Sequence, residues 1–244
     1  MYTAVKSILK SLLPKNFIVN NETLLRSFLV PFYKGNNHQC NVCETKLKKF
    51  VELENGDLLC PICGSLPRSR RLFKLLKNDF LKTGMKVLEF SPLRIFYRKL
   101  KAMSSIEYFA SDYDDEFIAD YHFDLRKMEV EDEKFDVIIC YHVLEHIVED
   151  FLAMKELYRV LKKNGGVVLV QTPFKEGEIY EDETIVSAAE RTKHFGQHNH
   201  VRIYSVDGLN ERLKNAGFKT EIGKFEKDEY YGFTNMETII YCYK

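Results

Sequence analysis

Four cysteines in two pairs form the clearest chemical pattern in the sequence. Cys40 and Cys43 make one C-x2-C pair, Cys60 and Cys63 make the second, and 16 residues separate the pairs. Each pair can occupy a tight turn that directs two thiolates at one centre, and two turns complete the closed tetrahedral shell that zinc prefers. Gly64 gives the second turn a relaxed backbone. The spacing predicts a structural zinc ion, with an iron–sulfur cluster as the lesser alternative.

A second group of reactive residue types lies in the sequence YHVLEH at residues 141–146. An apolar, β-branched run precedes it, apolar residues at helical spacing follow it, and a second apolar run covers residues 167–170. This order predicts a β-α-β unit of a parallel sheet. Because ligands of open α/β sheets bind at the carboxyl ends of the strands, we expect Tyr141 and His142 to lie where chemistry occurs.

The HVLEH part of that stretch also fits a zinc-protease pattern, in which both histidines face one way from a helix. Here the pattern begins at the end of a strand, so we do not expect that geometry. For His146, two interpretations remain open. The residue either packs the helix start against the sheet or lines the active site.

A cluster of imidazoles follows in RTKHFGQHNHVR at residues 191–202. A histidine, with an unperturbed pKa of roughly 6.5, suits the role of general base. His200 and Arg202 are our candidates for catalysis, together with His146. The alternatives are that His200 and Arg202 order their segment without touching substrate, or that His194, His198 and His200 hold a second metal ion.

An acidic residue stands at the distance expected for a nucleoside site. The sequence MKVLEF at residues 85–90 predicts a strand running into a helix start, and Asp112 ends the next strand, EYFAS. An acid about 20 residues beyond such a turn can accept hydrogen bonds from both hydroxyls of a ribose. Asp120 or Asp124 could meet an adenine amino group. The alternative for each acid is solvation in the acidic segment 112–136.

In this order, the segments VLEF, YFASDYD, HFDL, FDVIICYHVLEHI and LYRVLKKNGGVVLVQTP resemble class I S-adenosylmethionine-dependent methyltransferases of the type 11 group. The resemblance covers roughly residues 85–244 and is most specific at HVLEHI and LKKNGG. It implies a Rossmann-like three-layer α/β sandwich with a mostly parallel sheet, and S-adenosylmethionine as cofactor. The sequence CGSLPRSRR also resembles bacterial methyltransferases that carry an N-terminal four-cysteine module.

The resemblance implies a cofactor pocket built from residues that end or follow the strands: Glu89, Phe90, Ser91, Asp112, Asp124, Leu125, Tyr141 and His142. The first three would line the methionine part, Asp112 would hold the ribose, the next two would flank the adenine, and the last two would close over the sulfonium. The family's glycine-rich turn is replaced here by FSPLR at residues 90–94. A dinucleotide needs that turn most, because its pyrophosphate lies on the helix N-terminus. The departure therefore counts against NAD more than against S-adenosylmethionine.

The patterns divide the chain into a small N-terminal module and an α/β domain. We expect N-terminal helices over residues 1–35, a zinc ribbon over 36–66, a basic linker helix over 67–84 and a methyltransferase domain over 85–244. The segment 174–203 is long and polar, which is typical of a lid or a disordered linker.

Periodicity gives the individual elements of this division. We expect helices over residues 1–16, 21–34, 68–82, 93–103, 148–163 and 206–216, and strands over 86–90, 107–111, 135–140, 167–171, 219–225 and 237–243. The first helix is amphipathic, and we expect it to dock on its own protein rather than contact a membrane surface.

Composition excludes some classes of function. Lysine and arginine total 36 and aspartate and glutamate total 36, so the net charge of zero argues against a protein that coats nucleic acid. No apolar run approaches the roughly 18–20 residues that span a bilayer, and the N-terminus lacks the features of a signal peptide. With cysteines in a metal-type pattern, these features predict a cytoplasmic protein.

The sequence as a whole predicts a methyltransferase that acts on an oxygen or nitrogen atom of a small molecule or a saccharide. RNA is the first alternative acceptor, since SLPRSRRLFKLLKNDFLK at residues 65–82 follows the zinc ribbon and is rich in arginine and lysine. A helix that is merely solvated on its charged side explains the same residues. The second alternative is a binding or scaffold protein with a degenerate, non-catalytic cofactor fold.

Overall fold

The computed structural model describes residues 11–233 and 237–244. Contacts divide the chain into one unit of Met1–Phe80 with Phe225–Glu237 and a second of Leu81–Lys224 with Thr238–Lys244. Most of the helix predicted over residues 1–16 lies outside the described residues. Within the described part of the chain, every helix is too short or too polar to span a membrane.

Short helices open the first unit: α1 (Lys15–Asn20), α2 (Glu22–Ser27) and α3 (Val30–Tyr33). The single helix expected over residues 21–34 is therefore divided. Pro31 lies in the first turn of α3, where its missing N–H leaves no hydrogen bond unmade, whereas inside one long helix it would remove one.

Two hairpins carry the cysteine pairs. β1 (Lys34–Gln39) pairs antiparallel with β2 (Lys46–Leu47), and β3 (Val51–Glu52) pairs antiparallel with β4 (Leu58–Leu59). The first cysteine pair lies in the turn between β1 and β2, and the second follows β4. Helix α4 (Pro67–Leu75) comes next and continues as a π-helical turn over Leu76–Phe80.

The second unit is built on a sheet of six strands. In chain order, the strands of this unit are β5 (Lys86–Phe90), β6 (Glu107–Ser111), β7 (Val137–Tyr141), β8 (Val167–Gln171), β9 (Phe174–Lys175), β10 (Tyr180–Glu181), β11 (Arg202–Ser205), β12 (Lys219–Phe225) and β13 (Glu237–Tyr243). Three of them, β9, β10 and β11, lie outside the six-stranded sheet. The order is β12-β13-β8-β7-β5-β6, with β5 to β8 parallel and β13 antiparallel to β8. This mostly parallel sheet confirms the predicted α/β fold.

A row of buried side chains crosses the sheet and shows how the core is made. Leu88, Ile138, Val168 and Cys242 are register partners on four adjacent strands, and each is fully buried. The helices of this unit are α5 (Arg94–Lys101), α6 (Asp150–Val160), α7 (Ala188–Phe195) and α8 (Val206–Asn215). α6 and α8 join the same apolar cluster through residues such as Leu157. The alternation of strands with apolar helices is what the sequence pattern predicts.

The segment expected as a lid or linker has its own secondary structure, which corrects the expectation of an unstructured loop. β11 pairs antiparallel with β10 and parallel with β9, and α7 lies between β10 and β11. Strands of two to four residues leave too little periodicity to detect, so the sequence pattern did not show them. The ends of α7 carry residues typical of helix ends. The Ser187 hydroxyl accepts a hydrogen bond from the N–H of Glu190, and Gly196 ends the helix with a φ of 85°.

Candidate active site and metal centre

The four cysteines converge on one point. The sulfurs of Cys40 and Cys63 lie 3.6 Å apart, those of Cys43 and Cys60 lie 3.8 Å apart, and all four lie within 4.8 Å of one another. Sulfurs at about 2.3 Å from a zinc ion, at tetrahedral angles, would lie about 3.8 Å apart. The cage therefore has the size that a tetrahedral zinc ion needs.

Groups around the cage complement sulfurs that carry negative charge. The Ser65 hydroxyl lies 3.2 Å from the sulfurs of both Cys40 and Cys63, and the Thr45 hydroxyl lies 3.3 Å from that of Cys43. Hydroxyls can donate hydrogen bonds to thiolate ligands and orient them. The donor set and its surroundings thus fit a structural metal ion.

The topological switch point of the large sheet lies at β5, because β6 flanks it on one side and β7 on the other. Ligands of open α/β sheets bind at such a point. Ser91 after β5 and His142 after β7 both adopt left-handed backbone conformations, with φ of 47° and 55°. Such residues carry a conformational cost and concentrate at functional sites. At Ser91 the turn keeps a backbone conformation that favours glycine, although glycine is absent.

Asp112, at the end of β6, is buried and already holds three hydrogen bonds. Its Oδ1 accepts from the Ser91 hydroxyl at 2.9 Å, and its Oδ2 accepts from the N–H groups of Glu116 and Phe117 at 2.7 and 3.0 Å. Each carboxylate oxygen has two lone pairs. Oδ1 therefore retains one acceptor position at the edge of the switch point. The sequence led us to expect that Asp112 would accept hydrogen bonds from two ribose hydroxyls.

The neighbouring residues Glu89 and Phe90 are engaged within the sheet layers. Glu89 is 4% exposed and accepts a hydrogen bond from the Tyr108 hydroxyl at 2.6 Å. Burial raises the pKa of Glu89 to about 8, so its neutral form is favoured at neutral pH. Phe90 belongs to the apolar core. Of the three residues expected beside the methionine part, Ser91 is the one that contacts Asp112.

The two residues expected beside the adenine also have internal contacts. Asp124 is half-buried and pairs with Arg126 at 2.8 Å, and the hydrogen bonds from Arg126 lower the pKa of Asp124. Arg126 reaches Glu149 at 3.1 Å as well. Leu125 is buried in the apolar core. The Asp124 carboxylate is therefore already paired, and the Leu125 side chain is already packed in the core.

Buried polar atoms without hydrogen bonds gather where β7 and β8 end, next to Tyr141. Among the described residues, no hydrogen-bond partner reaches His142 Nε2, Glu145 Oε2 or Gln171 Oε1. The backbone N–H of His142 donates to the carbonyl of Gln171 at 2.8 Å, which holds the two strand ends together. Buried polar groups are nearly always satisfied in native structures, so an orphaned group indicates a missing partner. This edge is therefore the candidate active site.

Two of the predicted catalytic residues meet beside Glu145. The rings of His146 and His200 are in edge-to-face contact with centroids 4.6 Å apart. His146 lies in a short 3-10 turn, Leu144–His146, rather than in an α-helix, which agrees with the expectation that HVLEH lacks protease geometry. Burial lowers the pKa of His146, so its imidazole is neutral at neutral pH. His194 instead contacts the Tyr180 hydroxyl, at 2.6 Å, and His198 is exposed.

Arg202, the third predicted catalytic residue, is buried and fastens the 3-10 turn to β11. Its guanidinium donates to the carbonyls of Leu144, Ile147 and Val148. It also donates to the carboxylate of Glu181, at 2.8 Å. All its nitrogens are engaged in these contacts, so the geometry favours positioning of the turn over contact with substrate.

The basic residues of α4 are also engaged, within the first unit. Arg70 is fully buried and donates to the carbonyls of Leu58, Ser65, Tyr231 and Gly232 at 2.6–2.9 Å. Arg71 forms an ion pair with Glu237. Arg70 and Arg71, which belong to the basic stretch offered as a contact for RNA, thus hold the segment around the four cysteines and the segment before β13 to α4.

Comparisons with solved structures agree with this fold. A SAM dependent methyltransferase from Archaeoglobus fulgidus is 15% identical, with a TM-score of 0.51, and the alignment covers 71% of this chain and 91% of that one. Phosphoethanolamine N-methyltransferase 2 of Haemonchus contortus, in complex with phosphomonomethylethanolamine and S-adenosylhomocysteine, is 16% identical, with a TM-score of 0.50 and coverage of 72% and 52%. This chain thus spans about half of the Haemonchus enzyme. A search of the curated proteins found none that matches the chain.

A match to a protein family is more specific than the similarity to these distant structures. The family described as "Methyltransferase domain" matches residues 67–221, which is more than half of the chain. The matched region contains the switch point, Asp112 and the orphaned polar atoms after β7 and β8. The chain belongs to this family of methyltransferase domains, and its fold is the one found in S-adenosylmethionine-dependent methyltransferases.

Proposed function

We propose that the enzyme transfers the methyl group of S-adenosylmethionine to an oxygen or nitrogen atom of a small-molecule or saccharide acceptor. The observation that carries the cofactor assignment is the geometry at the switch point. Ser91 and His142 hold left-handed conformations at the ends of two adjacent strands, with Asp112 beside them. Such an edge, with an acid at the end of the second strand, suits a nucleoside.

The contacts support a separate part for each of the proposed cofactor residues. One ribose hydroxyl donates to the remaining acceptor position on Asp112 Oδ1, while Ser91 and the N–H groups of Glu116 and Phe117 hold the carboxylate in place. Tyr141 and His142 border the methionine and sulfonium side from the end of β7. Asp124 and Leu125 border the adenine, with Leu125 contributing apolar surface.

Methyl transfer is an in-line displacement, for which the protein mainly supplies proximity and, for oxygen or nitrogen nucleophiles, a general base. His200 supplies that base. Its Nδ1 lies 3.1 Å from the carbonyl of Phe195 and donates to it, so Nε2 carries the free lone pair. His146 lies against the same ring, and Arg202 positions the turn that carries His146.

The surroundings of the site favour a small acceptor over RNA. The loops after β6 and β7 are acidic, with residues such as Asp114, Asp115 and Glu149 exposed. Large apolar side chains follow the histidine turn directly: Val148 is 60% exposed and Phe151 is 43% exposed. Acidic loops repel a phosphate backbone, and exposed apolar side chains offer a surface for a ring or an alkyl group.

We further propose that the four cysteines hold one structural zinc ion. The sulfur separations and the nearby hydroxyls support this proposal, and four thiolates leave the ion no open position. Metal analysis of protein dialysed against a weak chelator should find about one tightly held zinc per chain. A chain that retains no metal, or retains iron with inorganic sulfide, would show that the zinc proposal is wrong.

Isothermal titration calorimetry tests the cofactor assignment, with S-adenosylmethionine and S-adenosylhomocysteine as ligands and zinc-replete protein. Binding with one site per chain is the expected result. The acceptor is then sought by transfer of a labelled methyl group to separate pools of small metabolites, saccharides and RNA. Label in the RNA pool alone would overturn the proposed acceptor class, and absence of cofactor binding at millimolar concentration would overturn the cofactor assignment.

A further inference from the structure

Three potential metal ligands meet at one point in the second unit. A carboxylate oxygen of Glu145 and one ring nitrogen each of His146 and His200 lie within 4.8 Å of one another. Glu145 and His200 are buried, and His146 is half-buried. Two ligands at about 2.1 Å from a tetrahedral ion would lie about 3.4 Å apart. The three atoms therefore need to approach one another by at most about 1.4 Å per pair to share an ion.

The His200 imidazole is oriented as metal-bound histidines are. His200 donates through Nδ1 to the carbonyl of Phe195 at 3.1 Å, which leaves the lone pair on Nε2. Metal-bound histidines usually make such a bond with the ring nitrogen that does not touch the ion, and the bond sets both tautomer and direction. His146 lies against the His200 ring, with the two ring centroids 4.6 Å apart.

Glu145 supplies the strongest indication that something is missing. Its residue exposure is 1%, and Oε2 has no hydrogen-bond partner among the described residues. Its Oε1 lies 3.3 Å from His142 Nδ1, but without the geometry of a hydrogen bond. An ionised carboxylate taken out of water needs a cation or hydrogen-bond donors to compensate the loss of hydration.

We propose that Glu145, His146 and His200 bind a divalent first-row transition metal ion, such as Zn²⁺, Co²⁺ or Mn²⁺. Two imidazole nitrogens and one carboxylate suit such ions, and three protein ligands leave at least one coordination position open. This site is separate from the closed four-cysteine cage. Binding of the ion is independent of the proposed function. With the ion bound, the open position faces the acceptor and His200 Nε2 holds the ion, so the role of general base proposed for His200 applies to the enzyme without this ion.

Protonated His142 beside Glu145 is the competing explanation for the buried carboxylate. It satisfies one oxygen at most, and it leaves the meeting of His146 with His200 unexplained. The two explanations differ in a measurable way: a charge pair needs no metal, whereas the proposed site binds one ion with an affinity that depends on all three ligands.

The test uses the full chain with zinc in the four-cysteine cage. The protein is dialysed against a weak chelator to empty weaker sites, and it is then titrated with Co²⁺ by calorimetry and visible absorption. We expect one further equivalent to bind, with d–d absorption but without new thiolate charge-transfer bands. Absence of a further equivalent at millimolar Co²⁺ would overturn the proposal.

Variants locate the bound ion. E145Q and H200A should each weaken Co²⁺ binding by at least about 100-fold, since the loss of a ligand exceeds the 10–100-fold loss typical of outer-shell changes. The matched control is H198A, because His198 is exposed on the same segment and belongs to no cluster of ligands in the described part of the chain. Equal Co²⁺ affinity in E145Q and the wild type would refute the site.

Two further measurements distinguish failure of this metal site from failure of the proposed function and from loss of the fold. S-adenosylmethionine binding, measured on the same samples, reports on the cofactor assignment and is expected in the presence and absence of Co²⁺. Circular dichroism and the zinc content show whether a variant keeps its fold and its four-cysteine cage. If E145Q fails to fold, the Co²⁺ affinity of H200A decides the question, because His200 lies on a different segment.

Discussion

Replacement of Arg202 by methionine should destabilise the second unit and loosen the turn that carries His146. Arg202 is 6% exposed. Its guanidinium donates to the carbonyls of Leu144, Ile147 and Val148, and it pairs with an acid on β10. Methionine keeps much of the apolar stem but has no donor. The R202M variant therefore removes the guanidinium donor from the carbonyls of Ile147 and Val148, whereas the Leu144 carbonyl keeps the N–H of Ile147 and Glu181 keeps Arg212.

The size of the effect follows from these contacts. Each buried acceptor left unsatisfied costs about 1–3 kcal/mol, and the Glu181 side chain, which is 37% exposed and keeps its pair with Arg212, adds at most about 1 kcal/mol. Asp150, 3.7 Å from Arg202, keeps its bonds to Tyr204 and Arg212 at 2.5 and 2.6 Å, so the loss does not spread to it. We expect a loss of about 3–5 kcal/mol, or about 6–20 °C in the melting temperature.

Urea unfolding measures the free energy, and hydrogen exchange of residues 144–148 measures the local effect. The R202K variant should lose nearly as much as R202M, because one ammonium group cannot reach carbonyls and a carboxylate that lie around a planar fork. R191M is the matched control, since Arg191 lies on α7 and reaches a single carbonyl, that of Ile185, at 3.3 Å. A loss below about 1 kcal/mol in R202M, with unchanged exchange at 144–148, would refute the anchoring role.

Three further predictions concern the other sites. C60S should lose the tightly held zinc, seen by metal analysis, and lower the stability of the ribbon; unchanged zinc would contradict the cage. D112N should weaken S-adenosylmethionine binding by about 10–100-fold through loss of a charged acceptor, whereas the exposed control D114N should not. The pKa of Glu89 is raised to about 8, so the folded state binds a proton more tightly than the unfolded state. Stability should fall by up to about 1.4 kcal/mol per unit as the pH rises from about 5 to 8, and E89Q should abolish that slope in urea titrations.

The sequence predicted local features well, because each depends on a short stretch of chain. Strands β5, β6, β8, β12 and β13 have the predicted bounds, and β7 is displaced by one or two residues at each end. The cysteine spacing predicted a four-sulfur cluster, which the structure closes to within 4.8 Å. Asp112 lies at the end of β6, as its distance from the first strand indicated.

The sequence was less informative where a side chain's role depends on distant partners. Arg70 and Arg71 looked like cations for an anionic ligand, but their partners are carbonyls and a carboxylate about 160 residues away. Arg202 looked catalytic beside His200, yet it holds the turn after β7. Glu145 lies in the sequence HVLEH, which did not mark it as a candidate ligand. It becomes one because the structure buries its carboxylate without a hydrogen-bond partner among the described residues.

The sequence by itself determined the order of the main strands and helices, the family, the cysteine cage and the edge of the sheet at which we propose that ligands bind. It did so because periodicity and spacing are properties of neighbouring residues. Tertiary structure alone decided that His200 joins Glu145 and His146 rather than the nearer His194 and His198. That meeting depends on β11, which pairs with β9 and β10, and on the Val201 N–H, which donates to the Glu145 carbonyl at 2.9 Å. The strand pairings join residues more than 20 positions apart and the Val201–Glu145 bond joins residues more than 50 apart, and no local pattern encodes them.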